Sequence, residues 1–392
     1  MTIILRPHQK KACDAMLSNT KGQVIIPTGG GKTMCMIQDA IDRHKSMGST
    51  TTVVVAPRIL LAQQLCKEFM DILSGTWNHV MHVHSGETHY FRTTKSKEIA
   101  LFNNTARSAK ESCIIFTTYH SLHRIQEANI DVDTIYFDEA HNSIKRNFFP
   151  ATEHFASDAS RCYFFTATPK HSVSVFKPGM NDTEVYGKVI CNVPATKLVE
   201  EGYILPPKVS IKELPTGDAK LSDCQNLLHT IDDNSLNKIL IAARSTRQIV
   251  KLLAESDFYM QIQNRGYSCM YITSKTGAYI DGQKVDRKEF FDTLNAWGKD
   301  PEKKFIILHH SILSEGINVN GLEAVLFMRN MDYVGISQSI GRVIRLGGAE
   351  KTYGLVCVPV YDKVGISTAK SVESVVDTVF VQGEAAVSVI RR

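Results

Sequence analysis

The segment Pro27-Thr28-Gly29-Gly30-Gly31-Lys32-Thr33 constrains this chain more than any other. It follows the apolar run Val24–Ile26 and precedes an amphipathic stretch, Lys32–Lys45, so it joins a strand to a helix. Glycines at this place let backbone N–H groups close on phosphate oxygens with no Cβ in the way, at a helix N-terminus that favours an anion. Lys32 then reaches the β/γ-phosphates of a nucleoside triphosphate, and the Thr33 hydroxyl ligates Mg²⁺. One departure stands out: Ile26 sits six positions before Lys32, where the general pattern has Gly or Ala.

Far downstream, Asp138-Glu139-Ala140-His141 terminates the apolar run Thr134–Phe137. Both carboxylates are thereby expected at the C-terminal end of a strand, the edge at which α/β sheets bind ligands. Asp138 is expected to hold Mg²⁺ through its water shell, and Glu139 to polarise the attacking water. In-line phosphoryl transfer asks for positioning and charge stabilisation more than covalent help.

The rest of the chain repeats one scheme. Val53–Ala56, Cys113–Thr117 and Cys162–Phe165 read as further strands, and Ile59–Leu73 as a helix, with Leu61, Leu65, Phe69 and Leu73 recurring every four residues. In the second half, Ile239–Ala242, Cys269–Ile272, Phe305–Leu308, Val325–Met328 and Leu355–Val358 read as strands, and Val285–Trp297 as a helix. Near-continuous apolar strands separated by helices predict parallel sheets covered on both faces. At 392 residues the chain is too long for one typical core. Two α/β lobes follow, residues 1–200 and 201–392, the second with a short C-terminal extension. Val193–Lys208, with Glu200-Glu201-Gly202 and Pro206-Pro207, reads as the hinge between them.

Composition excludes several classes. No apolar run approaches membrane-spanning length, and Met1–Pro7 has no apolar leader core, so a cytoplasmic (or nuclear) protein is expected. The nine cysteines are scattered without a C-x-x-C pair and read as reduced core thiols. A net charge of +5 suits a polyanionic partner without demanding one.

Further motifs carry a resemblance. Leu5-Arg6-Pro7-His8-Gln9, Val55-Ala56-Pro57-Arg58 with Leu60-Leu61-Ala62-Gln63-Gln64, Phe116-Thr117-Thr118-Tyr119-His120-Ser121-Leu122 and Phe165-Thr166-Ala167-Thr168-Pro169 occur in this order around the two segments above. The chain resembles a superfamily 2 helicase with two RecA-like lobes, and its motifs are similar to the group of type III restriction enzyme motors, XPB and UvsW. The resemblance implies that Arg6 and Gln9 read the adenine of ATP. It implies nucleic-acid backbone contacts from Pro57, Arg58, Gln63, Thr117 and Thr118, and coupling of the two activities through Thr166–Pro169.

In the second half, Gln338-Ser339-Ile340-Gly341-Arg342-Val343-Ile344-Arg345 spaces two arginines by three residues, expected on one helix face with Gln338. Two guanidinium groups facing a γ-phosphate stabilise transition-state charge. Ser314-Glu315-Gly316-Ile317-Asn318 resembles the family motif that touches both ribose (Gly316, Asn318) and nucleic acid (Ser314); Asn318 stands where family members commonly have Asp. Ala243 and Arg244 end a strand where the family grips the backbone.

A phosphate loop in one lobe and arginines in the other imply a site completed by lobe closure, driven by ATP and released by hydrolysis. The leading expectation is an ATP- and Mg²⁺-dependent DNA helicase or translocase acting in repair, recombination or replication, monomeric or with protein partners for targeting. An RNA helicase is the alternative, as is an ATP-gated motor subunit that depends on a partner nuclease. The histidines His79, His82, His84 and His89 lack flanking ligands at zinc-like spacing, and Glu302-Lys303-Lys304 lacks a partner carboxylate motif, so neither a metal site nor a nuclease is expected from them.

Overall fold

Thr51–Ala56, Cys113–Thr118, Thr134–Phe137 and Arg161–Thr166 are buried at every position, as strands covered on both faces must be. The computed structural model describes residues 3–73, 77, 79–174, 176–214, 223–243, 245–273, 276–310, 321–328, 333–346, 351–361 and 366–390. It divides into two compact units, Met1–Val193 with Val387–Arg392, and Pro194–Ala386.

The first unit is built on β1 (Lys21–Ile25), β2 (Thr51–Ala56), β3 (His79–Val83), β4 (Phe91–Arg92), β5 (Cys113–Thr118), β6 (Thr134–Phe137), β7 (Arg161–Thr166) and, after β8 (Lys170–Ser172), β9 (Val189–Asn192). These form an eight-stranded sheet in the order β4-β3-β5-β2-β6-β7-β1-β9. Every pairing in it is parallel. The strand β8 lies apart and pairs in parallel with the last strand of the chain, Ser388–Ile390.

The second unit carries β10 (Pro207–Leu214), β11 (Lys238–Ala242), β12 (Ser268–Thr273), β13 (Gly277–Ile280), β14 (Gln283–Val285), β15 (Phe305–His309), β16 (Ala324–Phe327) and β17 (Gly354–Tyr361). Their order is β10-β17-β16-β11-β15-β12-β13-β14. The five strands β10, β17, β16, β11 and β15 run parallel with β12, while β13 and β14 add an antiparallel hairpin at one edge. The fold is therefore α/β, with two RecA-like sheets flanked by helices.

Two differences from the sequence expectation have clear causes. The stretch expected as a hinge contains the helix Ala195–Glu200 and runs into β10. That strand alternates polar and apolar residues (Lys208, Ser210 and Lys212 among them), so it forms no apolar run. The hairpin β13–β14 turns at Asp281-Gly282, a short-range turn signal.

A buried charged network anchors the helix Lys32–Met47 beneath the glycine loop. Asp39, on that helix, accepts from Arg161 Nη2 at 2.6 Å and from Nη1 at 3.0 Å, and from the Tyr136 hydroxyl at 2.5 Å. Arg161 also donates to Met16 O, and Tyr163 bonds Met16 O and Asn19 O. One carboxylate thus ties the helix to β6, to β7 and, through Arg161, to the end of the first helix, Pro7–Ser18. The bidentate geometry is the one that repays desolvating a charged pair.

Candidate nucleotide site

Val24–Ile26 is fully or nearly fully buried, and Ile26 N–H donates to Thr166 O at 3.1 Å, extending the pairing of β1 with β7 by one residue. Beyond it the chain turns: Gly30 N–H donates to Pro27 O at 3.0 Å, and Gly31 caps the helix that begins at Lys32. Gly29 and Gly31 have φ of 87° and 81°, the left-handed region that favours glycine. A Cβ on Gly31 would also run into the Gln9 side-chain amide. Ile26 therefore occupies a core position before the loop, and the left-handed conformations fall on glycines.

Gln9 is held against this loop. Its Oε1 accepts from Arg6 N–H at 2.9 Å, and its Nε2 donates to Gly31 O at 3.3 Å. The neighbouring His8 Nε2 donates to Gly30 O at 2.7 Å. His8 is part of the motif Leu5–Gln9, and no local pattern marks it as a contact of the glycine loop.

Asp138 and Glu139 leave the end of β6 next to Lys32. Lys32 Nζ lies 3.5 Å from Glu139 Oε1, with the two side chains only 11% and 8% exposed. Glu139 adopts φ 47°, ψ 52°, a left-handed conformation uncommon outside glycine. Asp138 is anchored through its backbone, its N–H donating to Val55 O at 2.8 Å and its carbonyl accepting from the Tyr119 hydroxyl at 2.9 Å. Burial, then the charge of Glu139, pushes the Asp138 carboxyl up to about 7, and Lys32 opposes them. Two carboxylates are thus crowded at a buried strand end, and Thr33 is the second residue of the helix Lys32–Met47.

His141 joins this group to the next motif. Its Nδ1 lies 3.6 Å from Glu139 Oε2, 3.1 Å from Thr166 Oγ1 and 3.4 Å from Thr168 Oγ1. Thr168 N–H donates to Thr166 Oγ1 at 3.0 Å. The acidic box and the Thr166–Thr168 segment therefore form one continuous polar cluster.

Along the same strand ends, Pro57 and Arg58 follow β2, and Gln63 Nε2 on the helix Ile59–Leu73 donates to Glu87 O. Thr117 is fully buried, its hydroxyl donating to Val83 O at 2.9 Å, and the Thr118 hydroxyl donates to Ser121 Oγ at 3.4 Å. These hydroxyls hold the end of β5 to its neighbours.

In the second unit, Gln338 and Arg342 are buried on the helix Tyr333–Val343. Arg345 lies beyond the end of this helix, which corrects the expectation that both arginines share a helical face. At and past the helix end, Val343 O and Arg345 O accept from Lys351 Nζ, and Ile344 O accepts from Leu205 N–H. Ala243 follows β11 and its N–H donates to His309 O at 3.0 Å. Arg244, Ser314, Gly316 and Asn318 lie outside the described residues.

A glycine loop at the head of one parallel sheet, an acidic pair at a strand end of the same sheet and a second α/β unit define a class by fold: two RecA-like units, as in helicase-like motors. Residues 2–171 match the family model for the res subunit of type III restriction enzymes. No curated protein matches by sequence. Among solved structures, the DNA-bound type ISP restriction-modification enzyme LlaBIII is similar over 100% of this chain and 31% of its own, at a TM-score of 0.74 and 19% identity. The type ISP enzyme LlaGI, as a nuclease-deletion mutant with a DNA substrate mimic, is similar over 98% of this chain and 30% of its own (TM-score 0.69, 21% identity). Mss116p bound to ssRNA and AMP-PNP is similar over 99% of this chain and 75% of its own (TM-score 0.65, 15% identity). The chain thus spans about a third of the length of the restriction enzymes it matches.

Proposed function

We propose that the protein is an ATP-driven DNA translocase or helicase. The observation that carries this reading is the buried meeting of Lys32 with Glu139, beside Asp138 and under a glycine loop with left-handed φ. In this reading Pro27 to Lys32 hold the phosphates of ATP, and Arg6 and Gln9 read its base. Thr33 and Asp138 would hold Mg²⁺, which supplies charge neutralisation of the phosphates when bound. Glu139 polarises the attacking water. Gln338, Arg342 and Arg345, supplied by the second unit, stabilise the charge that develops on the γ-phosphate. Ribose contacts come from Gly316 and Asn318.

Pro57, Arg58, Gln63, Thr117, Thr118, Ala243, Arg244 and Ser314 would line the path of a nucleic-acid backbone, a sequence-blind and salt-sensitive mode of binding. DNA is favoured because two similar restriction enzymes were solved with DNA. The part of them that this chain matches spans about a third of their length, and the motor function with protein partners for targeting is the reading we carry over. Repair, recombination or replication is the setting we propose from the motif resemblance. The similarity to most of the length of Mss116p, solved with ssRNA, supports RNA as the second reading. Among the described residues no helix is long and apolar enough to cross a membrane.

The test is ATP turnover with single-stranded, duplex and forked DNA and with RNA, each with Glu139→Gln as control. DNA stimulation that the control abolishes supports the proposal. Stimulation by RNA alone overturns the DNA reading, and no turnover with any nucleic acid favours a partner-dependent motor subunit.

A further inference from the structure

A helix ends with carbonyl groups that no further turn can satisfy. At the helix Tyr333–Val343 this end carries Arg342, with Arg345 two residues beyond it, and the carbonyls from Val343 to Arg345 are satisfied by two donors. Leu205 N–H donates to Ile344 O at 2.7 Å. The Lys351 ammonium donates to Val343 O and, at 3.0 Å, to Arg345 O. Its third bond goes to Leu322 O at 2.6 Å, just ahead of β16. Gly354, the first residue of β17, packs against the same turn so closely that a Cβ there would lie 2.5 Å from Val343 O.

An ammonium has three donors on one atom and no acceptor, so three converging carbonyls use its whole capacity. Its charge also complements the negative end of the helix dipole. Lys351 lies six residues past Arg345 in the chain and is half-buried, so the backbone on either side of Arg345 is pinned by a side chain that returns to it.

We infer that Lys351 is a positioning residue for the arginine pair: its ammonium fixes the backbone from which Arg345 projects, and with it the place its guanidinium takes. This rests on the proposed role of Arg345 as an arginine finger. Lys351 itself acts through the backbone of Val343 and Arg345.

The experiment measures kcat and KM for ATP, with stimulating nucleic acid, for the full chain, Lys351→Met, Arg345→Ala and the double variant. Lys351→Met keeps the apolar stem and removes the charge. We expect its KM for ATP to stay within about twofold and its kcat to fall by about tenfold or more, because misplacing a group near the reacting atoms by ~1 Å can slow a reaction ~100-fold. In the Arg345→Ala background the same change should cause no further loss, since the two residues act as one unit. A merely structural lysine would instead lower activity by the same factor in both backgrounds, and that result overturns the inference. So does an unchanged kcat in Lys351→Met while Arg345→Ala is impaired. Wild-type kcat in Arg345→Ala overturns the arginine-finger reading and the inference together. If Lys351→Met does not fold, Lys351→Gln replaces it under the same criteria.

Discussion

In the proposed reading Lys32 exchanges Glu139 for the phosphates of ATP, and the size of that obstacle follows from the geometry. In this structure its ammonium sits 3.5 Å from the Glu139 carboxylate, with both side chains about nine-tenths buried. At an effective dielectric of ~20 such a pair attracts by about 4–5 kcal/mol. Hydration of the separated charges returns much of this, which leaves a net obstacle of about 1–2 kcal/mol. Glu139→Gln keeps the shape and removes the charge, so it frees Lys32 and ends the repulsion between Glu139 and the phosphates. A non-hydrolysable ATP analogue should therefore bind roughly 5- to 30-fold more tightly to the variant. Calorimetric titration without added divalent cation isolates this term from Mg²⁺ binding. The gain should shrink in a Lys32→Met background, where the share that comes from freeing Lys32 is lost and only the removed repulsion remains. Unchanged or weaker binding by Glu139→Gln, or an equal gain in the Lys32→Met background, would refute the competition argument.

Two further predictions concern the first unit. Arg161→Met leaves the Asp39 carboxylate buried without its guanidinium and should destabilise this unit by about 3–5 kcal/mol; Asp39→Asn added to it should recover part of the loss. Thermal unfolding checks this, and a loss below about 1 kcal/mol would place the pair among weak surface bridges. Burial, then neighbouring His84, pushes the His82 imidazole down to about 3 from 6.5. Between those values the unfolded state binds a proton that the folded state refuses, so stability is lost as pH falls, by about 2 kcal/mol at pH 5. His82→Phe should flatten the decline in denaturation midpoint between pH 7 and 5, and an unaltered slope would contradict the assignment.

Much of the local structure around the candidate site was legible in the chain because it falls on two short segments. Strand, glycine loop and helix occupy Lys21 to Met47 without interruption, and Asp138 and Glu139 directly follow the apolar run Thr134–Phe137. Short-range periodicity and glycine chemistry suffice there. Other features were hidden because no local pattern encodes them. Asp39 looks like one polar residue on an amphipathic helix, and Arg161 like a charge before a strand. Only the packing of that helix on β6 and β7 makes them a buried pair. The bonds at the end of the arginine helix were hidden for the same reason: Lys351 and Leu205 are distant in pattern and meet it only in space.

The sequence by itself determined the alternation of strands and helices, the left-handed glycines of the phosphate loop and the acidic strand end, since each depends on backbone sterics or hydrophobic period within a few residues. Tertiary structure alone decided that Lys32 and Glu139 meet, that His141 bridges to Thr166 and Thr168, and that Lys351 bonds the carbonyls of Val343 and Arg345. Those choices are made by desolvated charges and unsatisfied carbonyls seeking partners across the fold, and the identity of such partners is set by three-dimensional proximity.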